Sequence, residues 1–466
     1  MKMKSKLRKI FKIPDVYVLL FGLIIFTVAL TYFIPAGEFE RETSGDQTVV
    51  VPGSFSYIDQ NPAGPFDVFL SIQLGMIDTA SLIFLVLFTG GAFAVIEASG
   101  AIDAGISTLV SKLKNYKYVL VIAMFVLFSL GGATGIITNA VIAFIPLGIV
   151  LAKSLKLDAM AAVAIIYLGT FTGFNVAFLN PKTLGVAQTI AELPMFSGMT
   201  YRFLIYLIMV AVTVFYVCWY IKKISRDPSK SLMADNPFPT SNDTSEPTNN
   251  SVFTIRHKFI LLAFAGGLIF YILGVNTYGW GVNEMAAMFI IITVVAGIIA
   301  RMNGEEIVKN FMIGAQKLVY GALIMGVARA IYIILDQGII LDTVVYGLTV
   351  VLEPLSPVAG AIGMLFSNLI FNFFVSSGSG QAVVVMPILT PLADSLNISR
   401  QVAVQAYQFG DGITNNLFPT SGVLMASIAA AGVPYLKWLK FIWPVIIIWI
   451  VIASVALAVG VLIDWN

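Results

Sequence analysis

Residues 145–176 read IPLGIVLAKSLKLDAMAAVAIIYLGTFTGFNV, and residues 386–417 read MPILTPLADSLNISRQVAVQAYQFGDGITNNL. The two segments align without a gap at a constant offset, which sets Pro146 against Pro387, Ala152 against Ala393, Ser154 against Ser395, Leu155 against Leu396, Gly169 against Gly410 and Asn175 against Asn416. The chain is a duplication. Helix-breaking Gly, Asn and Pro at the same place in two halves of an apolar chain are the mark of an inverted repeat built around a central site. A fainter echo, VIEASGAID at 95–103 against IILDQGIIL at 333–341, faces Gly100 with Gly338 and moves the start of each repeat upstream.

Composition fixes the class. Hydrophobic residues make up 58% and charged residues 11%, where a soluble domain runs roughly a quarter charged. Runs such as 16–33, 203–220 and 445–463 are long enough to cross a hydrocarbon core at about 1.5 Å per residue. A single cysteine, Cys218, and a single histidine, His257, exclude a Cys/His metal site, a disulfide framework and a His-based triad within the chain. The expectation is a non-enzyme without cofactor or metal centre, and the net charge of +2 gives no reason to expect a nucleic-acid partner.

Basic residues order the spans. Lys2, Lys4, Lys6, Arg8, Lys9 and Lys12 precede the first apolar run and no small-residue cleavage site follows it, so it reads as an anchor with a cytoplasmic amino terminus. The next stretch, 37–67, carries Glu38, Glu40, Glu42, Asp46 and Asp59 against Arg41, which suits the outside. A second span at 82–98 returns inward. Runs 118–130 and 140–151 are each short for a crossing, with Lys112, Lys114 and Lys117 before the pair and Lys153 and Lys156 after it. They read as a re-entrant hairpin with tip GGATGIITNA, 131–140, since non-helical backbone at membrane depth must line a cavity or pack on protein. Between Arg329 and Arg400 there is no Lys or Arg, while Asp336, Asp342, Glu353 and Asp394 are present, so the second hairpin, with tip VSSGSGQA at 375–382, enters from outside.

The expected fold is an all-α polytopic membrane protein with about nine transmembrane helices plus two opposed re-entrant hairpins in an inverted repeat. Residues 1–68 form the anchor helix and extracytoplasmic loop, and 69–224 the first repeat, with hairpin 118–152 and broken helix 159–183. A polar Pro/Asn/Ser/Thr-rich cytoplasmic linker, 225–256, leads to two scaffold helices in 257–306. The second repeat, 307–466, holds hairpin 357–396 and broken helix 400–421.

Candidate binding residues cluster at the tips and breaks. The tips carry Thr134, Gly135, Thr138 and Asn139 in one half and Ser376, Ser377, Gly378, Ser379, Gly380 and Gln381 in the other. Exposed N–H groups there attract an anion, and carbonyls and hydroxyls attract a cation, whereas small residues also serve simple close packing of helices. The breaks TFTGFNVAFLNPKT and DGITNNLFPTS add Asn175, Asn180, Thr183, Thr414, Asn415, Asn416, Thr420 and Ser421. A plain kink would not need those side chains. Buried charge is the third clue: Asp411 suits a coupling cation or a substrate amine, and Arg329 a substrate carboxylate or a local acid. Substrate contact is thus assigned to Thr134, Thr138, Asn139, Asn175, Asn180, Thr183, Ser376, Ser377, Ser379, Gln381, Asn416, Thr420, Ser421 and Arg329, and cation coupling, by Na+ or H+, to Asp411, Thr414, Asn415, Gly135 and Gly380. Glu97 and Lys182 read as snorkelling residues near span ends, His257 as an inner-face anchor, and Tyr167, Tyr407 and Trp438 as packing residues or a cavity wall.

Nearly the whole length then resembles the YfcC-type branch of the C4-dicarboxylate anaerobic carrier family, within the ion transporter superfamily that also holds arginine/ornithine antiporter-like and AbgT-like carriers. FIPAGEFE (33–40), GAIDAGI (100–106), GVARAI (326–331), VSSGSGQA and FPTSG (418–422) carry the resemblance together. It implies a homodimer held by scaffold helices in the bacterial cytoplasmic membrane, and a transport domain that moves like an elevator. It also implies secondary transport of a small carboxylate-bearing solute, a C4-dicarboxylate or an amino acid, by cation coupling or exchange. The arginine/ornithine antiporters resemble a pattern with paired glutamates at the first tip, but here Thr138 and Asn139 bring no acid, which leaves basic amino acids as the runner-up and a channel as a distant third.

Overall fold

The structure is a computed structural model that describes residues 16–44, 47–51, 53–102, 104–105, 108, 116–239 and 253–466. The basic amino-terminal cluster, Asp46, Asp103, Lys112, Lys114 and the middle of the polar linker lie outside the described residues. The described chain is almost wholly helical, with two short antiparallel ladders, Gly37–Glu38 with Ser56–Tyr57 and Arg41–Ser44 with Gln47–Val50. Among the described residues seven helices are long and apolar enough to cross a membrane: Val16–Phe33, Ala80–Ala98, Met199–Arg226, Val282–Ala300, Gly304–Gln337, Pro357–Phe374 and Tyr435–Leu462. Helices that are apolar on every side are expected where one face meets protein and the other meets lipid.

Both hairpins form. The first sets Lys117–Ala133 and Asn139–Ser154 on either side of a five-residue turn that ends at Thr138. Gly135 makes that turn with φ of 73°, and a Cβ there would also run into the Asn180 side chain, so only glycine closes it. The second pairs Pro357–Phe374 with Gly378–Ser395, and its tip is shorter than the sequence suggests: only 375–377 leave the helix, and Gly378 through Gln381 form the first helical turn. The second span also starts earlier than expected. Asp67–Asp78 and Ala80–Ala98 are one path interrupted at Thr79, whose hydroxyl turns back to the Gly75 carbonyl at 2.8 Å.

The duplication extends to details that hydropathy does not show. Each broken helix is entered through a left-handed residue at matched positions, Lys156 and Asn397, both with φ of 53°. Each is then capped at matched positions, Asp158 accepting from the Ala161 N–H and Ser399 from the Val402 N–H. The segment that follows the last helix of each repeat straps over that cap. Asp158 accepts from Tyr220 (2.7 Å) and from Ser231 in the linker (2.5 Å), while Ser399 donates to the Trp465 carbonyl at 2.6 Å. Trp465 in turn lies under the guanidinium of the fully buried Arg202, which donates to Gln405 and Gln401 at 2.8 Å.

Two bundles result. Gly304–Gln337 packs on Asp67–Asp78, Ala80–Ala98 and Val16–Phe33, and Gly90 and Gly314 face one another so closely that a Cβ on either would strike the other's carbonyl. In the other bundle, Pro357–Phe374 packs on Arg400–Thr414, which meets Tyr435–Leu462, and Lys117–Ala133 crosses the Ala159–Phe174 helix.

Candidate functional site

The broken helices stop where the two bundles meet. In the first repeat the helix ends at Phe174, and Asn180 restarts it by accepting from the Lys182 N–H at 2.9 Å. In the second it ends at Thr414 and restarts at Gly422, with Ser421 accepting from the Leu424 N–H at 3.4 Å. Asn180 and Ser421 are matched positions of the duplication, so one capping solution is used twice with different side chains. Removing the better-formed cap, Asn180→Ala, is expected to lower stability by about 1 kcal/mol, read as a fall in the thermal unfolding midpoint of the purified protein.

The tips and breaks line one open cavity of about 320 Å³, whose opposite wall includes Asp78, Thr79, Arg329 and Tyr332. The first tip supplies Gly135, Thr138 and Asn139, and the second Ser376, Ser377 and Ser379. The breaks supply Asn180 and Thr183 from one repeat, and Asn415, Thr420 and Ser421 from the other. Phe171, Phe174 and Phe374 form apolar wall between them. The hydroxyls of Thr138, Thr183 and Thr420 are buried and have no hydrogen-bond partner in the protein. Orphaned buried polar groups cost free energy, so three of them around one cavity point to an occupant.

Four of the expected substrate contacts do not reach this cavity. Thr134 ends its helix with its hydroxyl bonded back to the Leu130 carbonyl at 2.9 Å. Asn175 is fully buried against Gly412, whose missing Cβ makes room for it. Gln381 sits one turn into the second hairpin's return helix and donates to the Asn368 side chain at 2.9 Å. Asn416 donates to the Gly412 carbonyl, and its own carbonyl accepts from Trp438 Nε1 at 2.9 Å. Trp438 and Tyr167 are likewise packing residues, their rings edge to face at 5.8 Å.

The residues assigned to cation coupling divide. Gly135 and Asn415 line the main cavity, and Gly380 lines a second one of about 360 Å³. Asp411 and Thr414 lie behind the second tip. Asp411 is fully buried, accepts from Asn415 Nδ2 at 3.2 Å through Oδ1, and has no partner on Oδ2. Gly378 rests on that bare oxygen: a Cβ there would be 2.9 Å from it. Asn372 packs beside it, donating to the Asp411 carbonyl (3.0 Å) and to Thr414 Oγ1 (2.8 Å) and leaving its own Oδ1 unpartnered. A carboxylate stripped of water with one oxygen unfilled is stable only with a proton or a small cation.

Arg329 does line the cavity, but its guanidinium is engaged. Its Nε is bonded to Asp78 Oδ2, and its plane lies 4.0 Å from the Tyr332 ring centre. Arg329, Tyr332 and Ser377 also line the second cavity, which reaches Arg41 in the strand-bearing loop. Arg41 holds the buried Asp342 at 2.8 Å there. Sequence reasoning passed over Asp78, which is cavity wall, and Lys182, which it set near a span end, is exposed and lines the cavity as well. The signal for Asp78 was an acid beside a threonine inside the largely apolar 68–96 run.

A family model described as DcuC, C4-dicarboxylate anaerobic carrier, matches residues 13–462. The chain belongs to the C4-dicarboxylate anaerobic carrier family. It is a multi-pass membrane carrier, and two of the motifs that suggested the family from sequence, VSSGSGQA and FPTSG, sit at the second hairpin tip and the second break. The carrier is 29% identical to an uncharacterised Haemophilus influenzae protein, with 98% of each chain covered. It is also 29% identical to the Escherichia coli protein named putative basic amino acid antiporter YfcC, with 94% of each covered. Among solved structures it is similar to the Neisseria gonorrhoeae efflux pump MtrF at 16% identity and a TM-score of 0.42, covering 96% of this chain and 95% of that one.

Proposed function

We propose that this carrier is a secondary active transporter that moves a small carboxylate-bearing solute, a C4-dicarboxylate or an amino acid, across the bacterial cytoplasmic membrane by alternating access. One observation carries the reading: four interrupted elements, two from each half of the duplication, meet around a single cavity whose buried hydroxyls lack partners. A channel needs a continuous polar path, whereas these polar groups converge on one chamber. Asp411, with its bare Oδ2 behind the second tip, supplies the coupling site, taking H+ or Na+. The amino terminus is cytoplasmic, which puts the strand-bearing loop and the second cavity on the outside. The hairpins and broken helices then move as a unit against the Gly304–Gln337 scaffold, within a homodimer.

The second reading, basic amino acid exchange, is favoured by the name of the Escherichia coli relative. Against it stands the cavity wall, where Asp78 is the acid and is already bonded to Arg329. Counterflow in proteoliposomes separates the two. Vesicles are preloaded in turn with malate or succinate, a neutral amino acid, and arginine or ornithine, with and without a sodium gradient. Uptake of labelled dicarboxylate or neutral amino acid against its own gradient is expected, and uptake confined to arginine and ornithine would establish the second reading instead.

A further inference from the structure

We propose that Lys182 is the specificity-determining cation of the cavity, receiving the carboxylate of an anionic solute and repelling solutes with an extra ammonium or guanidinium. The inference rests on the carrier reading and sharpens its substrate class. Lys182 is the second residue after the break in the first repeat, held by Pro181 before it and by its own N–H bonded to Asn180. It lines the cavity, and among the described residues no carboxylate pairs with it.

The charges around the cavity do not cancel. Three charged side chains line it: Asp78, Arg329 and Lys182. Asp78 and Arg329 neutralise one another, and Arg329 is further occupied by the Tyr332 ring. Asp411 lies behind the second tip with Gly378 between it and the cavity. What remains in the cavity is one ammonium. Lys182 is solvent-exposed where it lines the cavity, so its ammonium is open to whatever enters there.

The neighbouring groups suit a carboxylate. Thr183, adjacent in the chain, has a buried hydroxyl with no partner, as have Thr138 at the first tip and Thr420 at the second break. Gly378 opens an 18-residue helix on which Ser377 makes no side-chain cap, so its first N–H groups remain unclaimed by side chains. An ammonium and an uncapped helix start, with unpartnered hydroxyls buried behind the wall, form a receptor for negative charge. The same ammonium is a repulsive element against ornithine or arginine, and specificity gains as much from such repulsion as from attraction.

The test uses the full-length chain in proteoliposomes with succinate and L-ornithine as probes, in the parent and in Lys182→Gln, Lys182→Arg and Lys182→Glu, with the thermal unfolding midpoint of each variant as fold control. The parent is expected to exchange succinate and not ornithine. Lys182→Gln should raise the half-saturating succinate concentration at least ~10-fold, equivalent to about 1.4 kcal/mol. Lys182→Arg should recover most of the loss, and Lys182→Glu should abolish succinate exchange. An unchanged half-saturating concentration in Lys182→Gln overturns the role of Lys182 and leaves the carrier reading standing. Exchange of ornithine alone by the parent overturns the anionic class. Transport of neither probe, nor of any neutral amino acid, overturns the proposed substrate class and the inference together.

Discussion

Asp411→Asn is expected to abolish coupled uptake, by more than ~100-fold, while the protein still folds and inserts. The substitution keeps size and shape, and an asparagine oxygen can still accept from Asn415 Nδ2 at the position where Asp411 Oδ1 now does. What it removes is the ability to gain and lose a proton or to neutralise a cation. The bare Oδ2 beneath Gly378 is the observation behind this expectation, because the tip of the second hairpin rests on it. A tip seated on an uncompensated charge and a tip seated on a neutralised one differ in energy, which couples ion occupancy to the position of the hairpin. Concentrative uptake by Asp411→Asn equal to the parent would take Asp411 out of the mechanism.

The largest structural effect is expected at the crossing of the first hairpin with the first broken helix. Gly132 faces the Thr170 carbonyl and Gly173 faces the Ser129 carbonyl, each so close that a Cβ would overlap backbone. Overpacking a core typically costs about 1–3 kcal/mol when side chains can shift, and here the obstacle is main chain on a helix that cannot shift without moving the break. Gly173→Val is therefore expected to prevent recovery of monodisperse protein. Gly22→Val is the control, since nothing lies within 4 Å of a Cβ there. Equal yield and equal unfolding midpoints for the two variants would show that the crossing is not tight.

Much of this architecture was legible in the sequence. The duplication, both breaks and the polar tips follow from alignment, the first hairpin from apolar runs short for a crossing and the second from the charge pattern between Arg329 and Arg400, and the structure brings tips and breaks to one cavity. Azimuth around a helix was not legible. Asn175 and Asn416 occupy matched positions and look like ligands, yet both turn into packed backbone, at Gly412 and toward the Gly412 carbonyl. A run that is polar for four residues gives no sign of which side chain faces inward, since that depends on helices distant in the chain. Lys182 shows the same limit in reverse: a lysine near the end of an apolar run has two ways out, to the lipid headgroups or into a cavity. Only the position of the opposing tip decides between them. The pairing of Arg329 with Asp78, 251 residues away, was equally beyond a one-dimensional reading.

The central claim is that one cavity is reached from each side of the membrane in turn. Cys218 is the sole native cysteine, so a Cys218→Ser background carrying Ser379→Cys at the second tip reports on that cavity alone. The measurement is the labelling rate of this thiol by a membrane-impermeant reagent applied to one face of oriented vesicles and then to the other. Alternating access predicts labelling from both faces, with the balance shifted by an imposed solute gradient. Labelling from one face only, unchanged by any gradient, would contradict it.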